Sequence, residues 1–105
     1  MESGLRDLGR FSEPALLVLT SLASGPKHGY AMIEDIMQIY GVELGAGTLY
    51  AAIARLEQRG LIEALPAQER RRPYQLTSTG VAVLHAQLAN LQQFVAIGLL
   101  RLAHP

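Results

Sequence analysis

Cysteine is absent from this chain of 105 residues, which removes both a disulfide framework and a thiolate metal site and agrees with a reducing cytoplasm. The three histidines, His28, His85 and His104, are too scattered for the helical i, i+4 metal pattern. Neither a metal nor a cofactor is expected. No apolar run approaches the roughly 18 residues needed to span a bilayer, and residues 1–10 lack the apolar stretch of a signal peptide. The expectation is therefore a cytoplasmic protein with no membrane partner. Neither charge is in excess, since nine basic residues balance nine acidic ones. That balance counts against binding nucleic acid by bulk charge. The materials of catalysis are missing too: Glu57 with Glu63, or Glu34 with Asp35, could be called paired carboxylates, but no nucleophile and base accompany them. Gly41, Gly45 and Gly47 are not followed by the Gly-Lys-Ser/Thr of a phosphate loop, and an enzyme is not expected.

What is present is apolar and periodic. Half of the residues are hydrophobic, enough for one small domain, and such a domain buries a modest fraction of its surface. Any long apolar helix left over needs a partner. Ser12-Glu13-Pro14 marks a helix start, with Ser12 as N-cap and Pro14 in the first turn, where a missing N–H costs nothing. This helix should run to about Ser24, covered on more than one side because Leu16, Leu17, Val18 and Leu19 are apolar nearly all round. Gly25-Pro26 breaks it. A second helix is expected from His28 or Gly29 to Tyr40, with Tyr30, Ile33, Met37 and Tyr40 on one stripe and Glu34, Asp35 and Gln38 outside. Gly41 ends it. Residues 41–46 then read as the turn of a helix-turn-helix, which exposes helix N-terminal amides, natural binders of phosphate.

The most informative stretch comes next. Gly47-Thr48-Leu49-Tyr50 opens a short helix in which Leu49, Ile53 and Leu56 recur at i, i+4 and i+7, while Thr48, Ala51, Arg55 and Arg59 run along another flank. That flank is small and cationic, suited to a groove. After Gly60 the period changes: residues 61–65 and 74–77 are short strand-like runs around a polar loop with Pro66 and the residues 68–72. Arg70, Arg71 and Arg72 stand at its tip, so five of the nine basic residues fall in this helix and hairpin. The fold expected is mainly α with a small β-hairpin (α+β), a winged helix-turn-helix over residues 1–80 whose first helix also reaches a dimer interface. Residues 81–105 supply a dimerisation helix capped by Ser78 or Thr79. Its seam, Val81, Leu84, Leu88, Leu91, Val95, Gly98 and Leu102, is a heptad pattern with one glycine gap.

These assignments define a DNA-binding surface. Thr48, Ala51 and Arg55 face base edges, alanine and threonine suiting thymine methyls and arginine a guanine edge. Arg70, Arg71, Arg72, Lys27, His28 and Tyr50 suit phosphate, and Tyr30 and Gly47 lie with them. Tyr74 on the wing is expected to pack. Leu84, Leu88, Leu91, Val95 and Leu102 hold the homodimer together. A winged helix used only to bind proteins, or a dimeric small-molecule sensor, remains compatible with the neutral charge.

Three motifs together resemble the PadR-like transcriptional regulators: Gly25-Pro26-x-His28-Gly29-Tyr30; then Gly47-Thr48-Leu49-Tyr50 with Arg55-Leu56-Glu57-x-x-Gly60-Leu61-Ile62; then Arg70-Arg71-Arg72-Pro73-Tyr74-x-Leu76-Thr77-x-x-Gly80. Ala46 and Ala51 depart from the family by standing where it often has proline. The resemblance implies a prokaryotic homodimeric repressor of double-stranded DNA, its third helix in the major groove, its wing along the backbone, and its last helix paired with its mate and with the first helices. It also implies a possible small-molecule effector, because some short relatives hold flat molecules at the dimer centre on tryptophan. This chain has no tryptophan, and Phe94 on the last helix is the candidate to take that place.

Overall fold

The computed structural model describes residues 13–104. In chain order these form α1 (Pro14–Leu22), β1 (Lys27–His28), α2 (Gly29–Tyr40), α3 (Ala46–Gln58), β2 (Ile62–Ala64), β3 (Pro73–Leu76) and α4 (Ser78–Ala103). Ser12, expected to cap the first helix, lies outside the described residues. The N-cap is Glu13, whose side chain makes no capping bond, and Pro14 opens the helix. α1 stops at Leu22, short of Ser24, because Gly25 turns back with φ 136° and donates its N–H to the Leu22 carbonyl at 3.1 Å.

The core is the meeting of α1, α2 and α3. Leu17, Val18, Leu19 and Leu22 of α1 pack with Met32 and Ile36 of α2 and with Leu49, Ala52, Ile53 and Leu56 of α3. The α3 stripe is the one its spacing dictates. On α2 the structure corrects the expected face: Tyr30, Met37 and Tyr40 are exposed, Ile33 is half-buried, and Gly29, Met32 and Ile36 face the core. Two apolar stripes share one period in this helix, and what lies opposite decided between them. Gly41 closes α2 at φ 67°, as its position foretold.

α3 ends in a Schellman motif. Gly60, at φ 74°, donates to the Glu57 carbonyl at 3.0 Å and Leu61 to the Leu56 carbonyl at 3.0 Å, while the Leu56 and Leu61 side chains are both buried. The chain leaves this turn as β2, pairs antiparallel with β3, and β3 also pairs with β1, so the sheet order is β1-β3-β2. The wing is thus a three-stranded sheet where a hairpin alone was expected. β1 has two residues, too few to display the alternation that identifies a strand.

Thr77, rather than Ser78 or Thr79, caps α4. Its Oγ1 accepts from the Gly80 N–H at 3.0 Å and donates to the Gly60 carbonyl at 2.7 Å, and its own N–H reaches the Leu61 carbonyl at 3.1 Å. Gly80 lies so close to that carbonyl that a Cβ would overlap it. These contacts pin the start of α4 to the wing, Leu84 enters the core, and Leu91 is half-buried beside α1. Beyond Leu91 the helix leaves the domain. The Cα radius of gyration is accordingly 15.3 Å, against about 13 Å for a compact chain of this length. By length and composition alone α4 is long and apolar enough to cross a membrane. Gln, Asn and His interrupt its apolar run and hid that property from a search for continuous stretches.

Candidate nucleic-acid interface

On α3 the side opposite the buried Leu49, Ile53 and Leu56 carries Thr48, Ala51 and Arg55, all exposed. The N-cap is Gly45, which has no side chain to occupy the first amides, and the residues of the first turn up to Thr48 are exposed. A helix end in that state presents N–H groups and the positive end of its dipole to whatever approaches. Ala46 occupies the first helical position, the one proline suits best. Arg59 shares the stripe of Arg55 but sits past the helix end, in a groove with Leu16 and Leu19 of α1 and Val83 and Leu91 of α4.

The wing tip is tighter than the expected loop. Gln68 and Arg71 exchange backbone hydrogen bonds of 2.7 and 2.8 Å around Glu69 and Arg70, whose φ values are 49° and 70°. Two successive residues in this region make a two-residue hairpin turn of the kind that favours Asn-Gly. The register passes from Leu65 opposite Pro73 to Gln68 opposite Arg71, so Pro66 and Ala67 together face Arg72 in a bulge. The three arginines consequently diverge. Arg72 donates to the Leu65 carbonyl at 2.8 Å and braces the bulge, Arg71 places Nη1 at 3.3 Å from His28 Nε2, and Arg70 stands exposed in the turn.

Lys27, expected to meet phosphate, is committed to α1. Its ammonium donates to the Ser21 carbonyl and to Ser24 Oγ at 2.6 Å, neutralising the negative end of that helix. Buried Ser21 in turn donates from Oγ to Asp35 on α2 at 2.7 Å. His28 is the N-cap of α2, its Nδ1 accepting from the Ala31 N–H at 3.3 Å. Tyr50 lays its ring over Gly29, where any Cβ would collide with it, and Tyr30 on the next position is 62% exposed. Tyr74 is half-buried against the core. Its burial, then the nearby Glu57 and Tyr50, hold its phenol above the usual range, opposed by Arg72. Gly29, Ser21 and Thr77 were not singled out for these contacts from sequence. The Gly25 to Tyr30 motif was the available signal for Gly29.

The expected dimer residues divide. Leu84, at 5% exposure, belongs to the core of its own chain, and Leu91 is half-covered there. Leu88, Val95 and Leu102 are 44%, 47% and 79% exposed, and Phe94, the candidate to stand in for the family's tryptophan, is 72% exposed. Ile97, Leu99 and Leu100 extend the same apolar surface around the helix.

Residues 18–86 match the transcriptional regulator PadR-like family. An uncharacterised 37.1 kDa protein in transposon Tn4556 of Streptomyces fradiae is 44% identical over 78 residues, 74% of this chain and 23% of that protein. The transcriptional activator GvpE2 of Halobacterium salinarum is 26% identical over 93 residues, 88% of this chain and 47% of that protein. The chain therefore spans less than half the length of either curated relative. Among solved structures, a PadR family transcriptional regulator from Eggerthella lenta superimposes with a TM-score of 0.72 at 28% identity, over 98% of this chain and 91% of that one.

Proposed function

The chain belongs to the PadR-like family of transcriptional regulators, and from that premise we propose that it is a cytoplasmic, sequence-specific DNA-binding repressor acting on a pseudo-palindromic operator as a homodimer. The observation that carries this reading is the division of α3, with Leu49, Ile53 and Leu56 buried and Thr48, Ala51 and Arg55 exposed behind an uncapped N-terminus. A helix so divided is held rigidly by its core face while its other face is free to enter a major groove. Arg70 and Arg71 on the wing lie outside the groove and supply backbone contacts, so a chain with no net charge still presents a local positive surface. The homodimer rests on the exposed apolar surface of α4, which the winged domain leaves uncovered.

The direct test is binding to duplex DNA from upstream of the chain's own gene, against a random duplex of equal length and at several salt concentrations. Preferred binding is expected, with footprinted half-sites whose centres are about 10 base pairs apart or a multiple of that. Equal affinity for both duplexes, or a single asymmetric half-site, would overturn the reading. One relative is named as an activator, so the sign of regulation needs its own measurement. Transcription from that promoter in vitro should fall as the protein is added.

A further inference from the structure

His28 stands between two elements of the interface, and its two ring nitrogens have incompatible demands. Nδ1 accepts the Ala31 N–H at the start of α2, so Nδ1 carries no proton, and the neutral ring must then carry its proton on Nε2. That Nε2–H faces a guanidinium nitrogen of Arg71, 3.3 Å away, which is also a donor and never an acceptor. Two donors 3.3 Å apart cannot bond to each other, but both can direct their hydrogens to one acceptor oxygen lying beside the pair. The contact lies in an open groove lined by Pro26, Lys27, His28, Gln68, Glu69 and Arg71 among others, and Arg71 is exposed there. Lys27 is turned away to α1, and Glu69 is the groove's carboxylate.

The geometry points to a phosphate clamp: His28 Nε2–H and the Arg71 guanidinium share one phosphate oxygen, and the α2 cap sets the imidazole tautomer that makes His28 a donor. This deepens the DNA-binding reading and rests on it for the source of the phosphate, a backbone phosphodiester beside the wing. His28 and Arg71 come from different ends of the fold and meet because β1 pairs with β3, His28 opposite Pro73. The clamp thereby ties wing position to the helix-turn-helix. Arg71 brings the charge and His28 the direction.

The test separates capping from clamping. Serine and asparagine are good N-caps, so His28→Ser and His28→Asn should leave the melting temperature near that of the parent while removing the ring donor. Loss of one hydrogen bond to a charged group is expected to weaken duplex binding on the order of tenfold. Arg71→Ala should weaken binding and reduce the salt slope by about 0.9 per protomer, about 1.8 for the dimer. In the Arg71→Ala background, His28→Ser should cost less than about twofold, the non-additivity of residues that serve one ligand. Fully additive losses would assign the two residues to different phosphates and overturn the clamp. A second arm follows the His28 ring nitrogens by NMR during titration with duplex and, separately, with inorganic phosphate. Perturbation by phosphate without any duplex binding would support the clamp and sink the DNA reading. Duplex binding that neither moves these resonances nor weakens in His28→Ser would sink the clamp and leave the DNA reading standing, and silence toward both ligands would remove both.

Discussion

Replacing Val95 with glutamate separates the two tasks of α4. Upstream, Gly80 and Leu84 are buried in the winged domain, while Val95 is 47% exposed and lies beyond the last residue that packs on α1. A charge at Val95 should therefore leave the protomer folded. Across a two-fold interface the same substitution acts twice. Full burial of a valine is worth about 1.5 kcal/mol, and roughly half of that surface remains for a partner to cover, so the two copies forfeit about 1.5 kcal/mol together. The stranded carboxylates weigh more, each costing several kcal/mol to bring out of water. A total on the order of 5 kcal/mol corresponds to a dimer several thousand-fold weaker. Sedimentation at micromolar concentration should show monomer with unchanged circular dichroism. Operator affinity should fall by about 10²–10⁴ through loss of linkage between half-sites. Leu84→Ala is the matched control, expected to destabilise the protomer by about 2–5 kcal/mol. If Val95→Glu sediments as the parent does and binds operator normally, α4 is not the dimer element.

Arg55→Ala should cost about 1–3 kcal/mol on the preferred operator and much less on random DNA, as competition titrations would show, and equal losses would make Arg55 a phosphate contact. Changing Glu69 to Asn and Arg70 to Gly relieves two positive φ angles in the wing turn and should add about 1 kcal/mol of stability, or about 4–8 °C in Tm by calorimetry. The same double variant should bind DNA more weakly, with a salt slope smaller by about 0.9 per protomer, about 1.8 for the dimer. Gly80→Ala drives a Cβ into the Leu61 carbonyl and should cost about 1–3 kcal/mol, measured by urea denaturation; a variant as stable as the parent would show that α4 is not pinned at its start.

The recognition helix was the most legible part of the chain. Leu49, Ile53 and Leu56 recur at helical spacing, and a single apolar stripe leaves one way to bury the helix. Gly41 and Gly60 were legible for a related reason, since a glycine after a periodic run is where a left-handed residue is needed. α2 was not, because Tyr30, Met37 and Tyr40 make a stripe as good as Met32 and Ile36, and periodicity cannot rank two stripes. The arginine run was read as one cationic tip. A bulge and a tight turn send its members to three different places, and neither device has a signature in Glu69-Arg70.

The sequence by itself determined the order of the helices and the hairpin, the exposed flank of α3 and the surplus of apolar surface on the last helix, because these follow from periods and breakers within a few residues of each other. Tertiary structure decided which histidine nitrogen faces the wing, that Lys27 serves α1, and that Leu84 is enclosed by its own chain while Val95 is not. Each of those outcomes depends on residues far apart in sequence that meet when β1 pairs with β3 and α4 is pinned at Thr77 and Gly80. A contact of that kind is set by the packing of whole elements, and local pattern carries no record of it.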